Sequence, residues 1–171
     1  MKIYESIENL PSFLYPVVVM GNFDGVHEGH QKIVSEVVCR AREHNGTAII
    51  ITYRPNTGVF FGRVAEAQLL STEEEKFDSL QALGIDAIVV IPFTQEFSQM
   101  EAGMFIEQIL VHKLGIKEIV VGYDSAFGKG RKGGKELLTG YGERFGFEVT
   151  EVVPLQKEGS IISSTTLRKN L

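Results

Sequence analysis

Apolar residues along this chain come in short β-branched runs, and most runs are followed by a stretch in which apolar positions recur three and four apart. The first run, Val17-Val18-Val19-Met20, reads as a strand. From about Val26 to His44 the period changes: Ile33, Val34, Val37, Val38 and Ala41 share one face and Gly46 lies just past the end, which predicts a helix. A second strand is expected at 48–52. After a loop, Ser71-Thr72-Glu73-Glu74 has the form of a capping box and opens a helix that Gly84 closes, with a third strand at 87–91. Another helix, with Met104, Phe105, Ile109 and Leu110 as its apolar stripe, ends near Gly115 and precedes a fourth strand at 118–121. A glycine-rich loop at 122–134, a helix around 135–145, a strand at 147–153 and a short helix at 163–170 complete the pattern.

Strands that alternate with helices need crossover connections, so the pattern predicts an α/β fold: a mostly parallel sheet with helices on both faces. In such sheets ligands bind beyond the carboxyl ends of the strands, near a topological switch point. The candidate site is therefore built from the loops 21–30, 53–70, 92–100 and 122–134. No internal repeat, low-complexity tract or linker interrupts the pattern.

Composition narrows the function classes. The chain has 171 residues, 43% hydrophobic and 23% charged, which fits one globular domain and neither disorder nor a small stapled scaffold. A net charge of −5 argues against a nucleic-acid partner, because phosphate neutralisation needs a basic surface, so any basic cluster must be local. A single cysteine, Cys39, forms no internal disulfide and suits a reducing compartment. No apolar run approaches the ~18 residues of a membrane helix, and the opening "MKIYESIENL" lacks the apolar stretch of a signal peptide. The expectation is a cytoplasmic protein with no membrane partner. Nothing in the pattern fixes an oligomeric state.

Chemistry concentrates in "GNFDGVHEGH", residues 21–30. A strand ends and a helix begins within it, so free N–H groups and the positive end of the helix dipole face the site, while glycines admit a phosphate close to the backbone. His27 and His30, three residues apart, share a face on a first helical turn, and two imidazoles aimed at one point can stabilise charge growing on phosphate oxygens. The competing reading has Asp24 as the helix cap, the glycines as the turn and the histidines as surface residues. A zinc site would need a third ligand, and none is evident.

Near the other end, "ISSTTLRKNL" puts Ser163, Ser164 and Thr165 before an apparent helix, with Arg168 three residues after Thr165. Those groups suit a second phosphate, or simply a helix cap. The loop "GYDSAFGKGRKGGK" contains Gly128-x-Gly130-x-x-Gly133, formally a dinucleotide fingerprint. Its first glycine comes seven residues after Val121, too far from the strand, and no P-loop spacing exists around Gly134-Lys135. It reads as a basic loop that either clamps anionic groups or is merely solvated.

Taken together, "GNFDGVHEGH", "ITYRPNTGVFF", "LLSTEEEKFDSLQALGIDAIVVIPFTQEF", "VVGYDSAFG" and "ISSTTLR", in this order over nearly the whole chain, resemble the FAD synthetase (FMN adenylyltransferase) module of bacterial bifunctional riboflavin kinase/FAD synthetases. That module belongs to the nucleotidyltransferase superfamily carrying the His-x-Gly-His signature. The resemblance implies a Rossmann-like nucleotidyltransferase fold, the substrates ATP and FMN, Mg2+ with the ATP, and the products FAD and pyrophosphate. It implies that Gly21, Phe23 and Asp24 line the nucleotide pocket and that His27 and His30 bind the triphosphate and the developing charge. Ser163, Ser164, Thr165 and Arg168 would close over the phosphates, with Arg168 joining the histidines as a catalytic group. The flavin would rest near Tyr53, Pro55, Phe61, Asp124 and Phe127. No residue is expected to form a dedicated metal site.

The chain departs from the family pattern mainly on the flavin side. Pro55-Asn56-Thr57 stands where Pro-His-Pro is usual, Asp124-Ser125 where Asp-Phe is usual, Gly133-Gly134 where Gly-Asp is usual, and Thr166 where an arginine is usual. The usual kinase module would follow Leu171, so residues 1–171 are expected to be a single adenylyltransferase domain, either supplied with FMN by a separate kinase or an excised or degenerate module. A close alternative is nucleotidyl transfer to another small phosphorylated acceptor, and one from a different class is non-catalytic nucleotide or flavin binding. A nicotinamide-dependent oxidoreductase built on the Gly128 triplet is a third.

Overall fold

The structure is a computed structural model that describes residues 1–153 and, beyond them, the strand pairs 156–157 and 160–161. Its strands are β1 (Lys2–Tyr4), β2 (Pro16–Met20), β3 (Thr47–Arg54), β4 (Ala87–Pro92), β5 (Glu118–Gly122) and β6 (Glu148–Val152), with a small hairpin of β7 (Gln156–Lys157) and β8 (Ser160–Ile161). Between them run α1 (Glu28–Glu43), α2 (Thr57–Phe60), α3 (Glu73–Ala82), α4 (Gln95–Ser98), α5 (Ala102–Met104) with a π-helical continuation (Phe105–Lys113), and α6 (Lys135–Phe145).

The first six strands form one sheet in the order β1-β4-β3-β2-β5-β6, and every pairing is parallel. Successive side chains on a strand point to opposite faces, so each strand feeds two cores. Val18, Ile49, Ile51, Val89 and Ile119 pack on one side with Ile106, Leu110 and Leu138 from the π-helical segment and α6. Val17, Val19, Ile50, Ile88 and Val120 pack on the other with Val34 and Val37 of α1 and Leu80 of α3. Burial on both faces is why these strands are unbroken β-branched runs and not alternating ones. The chain passes from β2 to β3 on one side and reaches β5 on the other side of β2, so the topological switch lies between β2 and β5.

Several expectations shift. β1 was not expected; three residues with exposed Lys2 and Ile3 offer too little pattern to read. Helix α1 begins at Glu28 and not at about Val26, because Phe23 (φ 52°), Gly25 (φ 79°) and Val26 (φ 38°) hold the preceding turn in left-handed backbone. The capping box belongs to Thr72 and Glu75, one residue later than Ser71-to-Glu74: Glu75 N–H donates to Thr72 Oγ1 at 3.1 Å and Thr72 N–H to Glu75 Oε1 at 3.0 Å. Met104 is 48% exposed, and Ile106 takes its place on the buried stripe. From Phe105 the backbone bonds reach five residues back, as from Leu114 N–H to Ile109 O at 3.0 Å, and the inward face becomes the pairs Phe105-Ile106 and Ile109-Leu110.

At the amino end of the sheet, Glu118 is almost wholly buried and is held by Tyr15 Oη at 2.8 Å and Arg40 Nη1 at 2.9 Å, with His44 Nε2 3.6 Å away. Burial, then the hydrogen bond to Glu118, pushes the Tyr15 hydroxyl up to about 12. The outer strands differ from the inner ones: β1 is short, and β6 leaves Glu148 and Glu151 exposed. Among the described residues no helix is long and apolar enough to cross a membrane.

Candidate active site

The loops that follow β2, β3, β4 and β5 converge on a cavity of about 1020 Å³ at the carboxyl edge of the sheet, over the switch point. Each of the four loops expected to form the site contributes to its wall.

Loop 21–30 supplies the floor. Gly21 N–H continues the ladder to Ile51 O at 3.0 Å, and the chain then turns sharply through Phe23, buried beneath the ring of His30 at 5.2 Å between centroids. His27 is not on the first turn of α1; it is the N-cap. Its Nδ1 accepts the backbone N–H groups of Gly29 at 3.0 Å and His30 at 3.4 Å. That assignment leaves Nε2 as the donor nitrogen of the neutral ring. The two imidazoles still meet, stacked 3.7 Å apart between centroids at 22°. Burial holds His27 below the ordinary histidine value, with Asp24 pulling the other way.

Asp24 does not cap α1. It is buried and accepts the N–H groups of Leu70 at 2.9 and 3.0 Å and of Ser71 at 3.2 Å, while Gly25 N–H donates to Ser71 Oγ at 3.0 Å. Asn22 is fastened on the other side: its Nδ2 donates to Thr57 Oγ1 at 2.7 Å and its Oδ1 accepts Thr57 N–H at 3.1 Å. Lys76 reaches up from α3 to donate to Asn22 O at 3.0 Å and Thr52 Oγ1 at 3.1 Å, and burial lowers its ammonium from the ordinary lysine value. Asn22 and Lys76 were not singled out in the sequence. An asparagine among glycines reads as turn chemistry, and a lysine ending "EEEK" reads as a solvated charge.

The opposite wall is aromatic. Tyr53 packs against Phe93 at 5.5 Å and Phe97 at 6.2 Å between centroids, Phe97 against Phe105 at 6.0 Å, and Phe105 against Phe127 at 5.6 Å. Burial pushes the Tyr53 hydroxyl well above its ordinary value. At the mouth Phe61 is half exposed, with the Arg63 guanidinium 4.9 Å from its ring centroid. Phe93 and Phe97 belong to "IPFTQEF" and went unassigned in the sequence because an aromatic pair beside a strand reads equally well as core.

Of the expected site residues, Gly21, Phe23, Asp24, His30, Tyr53, Phe61, Asp124 and Phe127 all line this cavity, and His27 adjoins it through the stack on His30. Pro55 lies instead in an adjoining hollow of about 530 Å³ that shares Asn22, Asp24 and Tyr53 with the first. Ser163, Ser164, Thr165 and Arg168 fall outside the described residues. Two glycines of the Gly128 triplet are packed tightly against protein: a Cβ on Gly128 would sit 2.7 Å from Ala102 Cα, and one on Gly133 2.7 Å from the Phe127 ring. They let the loop close on itself through the Phe127–Gly133 bridge and form no pyrophosphate turn.

Helix α1 thus sets His30, with His27 stacked on it, at the wall of a cavity that is aromatic on its far side. A family model described as FAD synthetase matches residues 14–166. The chain belongs to the FAD synthetase family. Relatives named bifunctional riboflavin kinase/FMN adenylyltransferase are 37% identical in Buchnera aphidicola subsp. Schizaphis graminum and 32% identical in Escherichia coli K12. Each match runs over 173 residues and covers 100% of this chain and 55% of the relative. The chain therefore spans about half the length of the curated relatives it matches. A solved structure described as a macrolide-efflux protein from Streptococcus pneumoniae superposes with a TM-score of 0.84 at 25% identity, covering 99% of this chain and 56% of that one. Loop 21–30 and the aromatic wall face one another across the same cavity.

Proposed function

We propose that this chain is a nucleotidyltransferase that moves the adenylyl group of ATP onto FMN, giving FAD and pyrophosphate. The observation that carries the reading is one cavity lined by His30, on which the α1 N-cap His27 stacks, and by an aromatic wall opposite. An FMN phosphate oxygen attacks the α-phosphorus of ATP, and the bond to the pyrophosphate oxygen breaks. The nucleophile is already anionic, so catalysis rests on positioning and charge stabilisation and needs no general base.

His27 Nε2–H donates to triphosphate oxygens in this reading, its Nδ1 being taken up by the Gly29 and His30 amides of α1, and His30 supports it from the stack. Mg2+ bound with the triphosphate would supply charge neutralisation there. Among the described residues no three histidines, cysteines or carboxylates gather into a protein-only cage. Ser163, Ser164, Thr165 and Arg168 close over the phosphates in this reading, and Tyr53, Pro55, Phe61, Asp124 and Phe127 flank the flavin. Both substrates are met in the cytoplasm, where we place the enzyme.

Incubation with ATP, Mg2+ and FMN is expected to release FAD and pyrophosphate in equal amounts. His30→Ala and His27→Ala should each lower kcat by about 10²-fold. Full activity in both variants would refute their roles. A second reading, transfer to another small phosphorylated acceptor, draws on the polar groups of Asn56, Thr57 and Ser125 at the aromatic side of the cavity. A panel of phosphorylated acceptors scored by pyrophosphate release separates the two.

A further inference from the structure

The turn that presents His27 and His30 is held under strain. Within four residues Phe23, Gly25 and Val26 all adopt positive φ, at 52°, 79° and 38°, and for a phenylalanine and a β-branched valine that region is costly. Such backbone persists only where surrounding contacts over-determine it. Helix α3 and the loop leading to it supply those contacts. Lys76 stands out among them, because a lysine closing a run of three glutamates would ordinarily extend into water. Here it is half-buried and turned under the loop. Asp24 and Glu73 are near enough to favour its charge, yet both of its hydrogen bonds go to neutral oxygens, the Asn22 carbonyl and the Thr52 hydroxyl. The Asn22 carbonyl belongs to the peptide that leads directly into strained Phe23. Asn22 is thereby fixed by its backbone to α3 and by its side chain to Thr57 at the start of α2.

We infer that Lys76 is a positioning residue, whose ammonium pins the Asn22 carbonyl and so keeps loop 21–26 in the strained shape that aims His27 and His30 at the phosphates. The inference rests on the proposed adenylyl transfer for its kinetic consequence but not for its structural one. The assignment is specific: a donor at this point fixes the peptide plane between Asn22 and Phe23, and neither Ser71 nor Thr57 touches that plane.

The test compares the full chain with K76M, which keeps the aliphatic stem, and K76R, which keeps charge and donors. Amide hydrogen exchange over residues 21–26 should be faster in K76M by about tenfold while strands β3 and β4 exchange as in the unchanged protein. In FMN adenylylation the same variant should lose roughly tenfold or more in kcat with little change in the KM for FMN, and K76R should recover most of both losses. Unchanged exchange over 21–26 in K76M overturns the inference. So does faster exchange with kcat intact. If the unchanged protein makes no FAD, the reaction is refuted, while the exchange comparison still decides whether Lys76 sets the loop. Should K76M fail to fold, T52V, which removes only the second acceptor of the ammonium, is read by the same exchange and kinetic measurements.

Discussion

His27 carries two demands that push its ring the same way. As the N-cap of α1 it must keep Nδ1 unprotonated to accept from Gly29 and His30, and burial independently disfavours the charged form. Its folded value lies below the 6.5 of an ordinary histidine, so the unfolded chain binds the proton first. The stability contributed by the cap is therefore fully present above about pH 6.5 and is lost as the pH falls through the lower folded value. His27→Asn keeps a good cap without a titrating group. Urea unfolding of the two proteins as a function of pH should show the unchanged protein losing stability below about pH 6.5 more steeply than the variant. Parallel curves would mean that the cap is not the titrating element. At this scale the histidine pair was legible from its spacing. The role of Asp24 was not, since its partners Leu70 and Ser71 lie 46 and 47 residues away and nothing local announces them.

At the scale of elements, α2 shows how a departure from the family pattern can be structurally neutral in one respect and consequential in another. Thr57 is the first residue of α2 after the Asn56 cap, a position where proline is favoured, and Asn56 already has the extended backbone (φ −48°, ψ 135°) that precedes proline readily. Thr57→Pro, which restores the family's usual residue, should leave α2 intact while removing the N–H and the hydroxyl that bind Asn22. A net loss of about 1 kcal/mol is expected, because two hydrogen bonds are partly offset by the stiffer unfolded chain. The KM for FMN should rise with it, as α2 is released from loop 21–30. Urea unfolding and saturation kinetics check the two effects, and unchanged values for both would show that the Asn22–Thr57 pair couples nothing. The strands and long helices were readable because burial on both faces of a parallel sheet writes itself as β-branched runs. Helix α2 was not, although Asn56 two residues before Gly58 is a cap signal in retrospect. The stripe expected from Met104, Phe105, Ile109 and Leu110 fails only at Met104, with Ile106 in its place, because the π-helical bonding reach is a tertiary outcome invisible to a fixed period.

Over the whole molecule, chemistry and stability sit at opposite ends of the sheet. The cavity lies beyond the carboxyl ends of β2 to β5, whereas buried Glu118, with Tyr15, Arg40 and His44, closes the amino end. Arg40→Met removes the guanidinium partner of a buried carboxylate and should lower unfolding free energy by roughly 2–3 kcal/mol. Adenylyl transfer measured well below the unfolding temperature should stay within about twofold of the unchanged protein, because residues so far apart rarely couple. A matching fall in kcat would mean that the two ends are not independent. The outer strands settle a different matter. A parallel sheet ends in two rows of unpaired peptide groups, and any long, flat, apolar edge invites a neighbouring chain to extend it. Here one border is β1, only three residues long, and the other is β6, flanked by the exposed carboxylates of Glu148 and Glu151. Brevity at one border and repulsion at the other discourage edge-to-edge sheet growth between copies, so these borders carry their own safeguard against fibrous association.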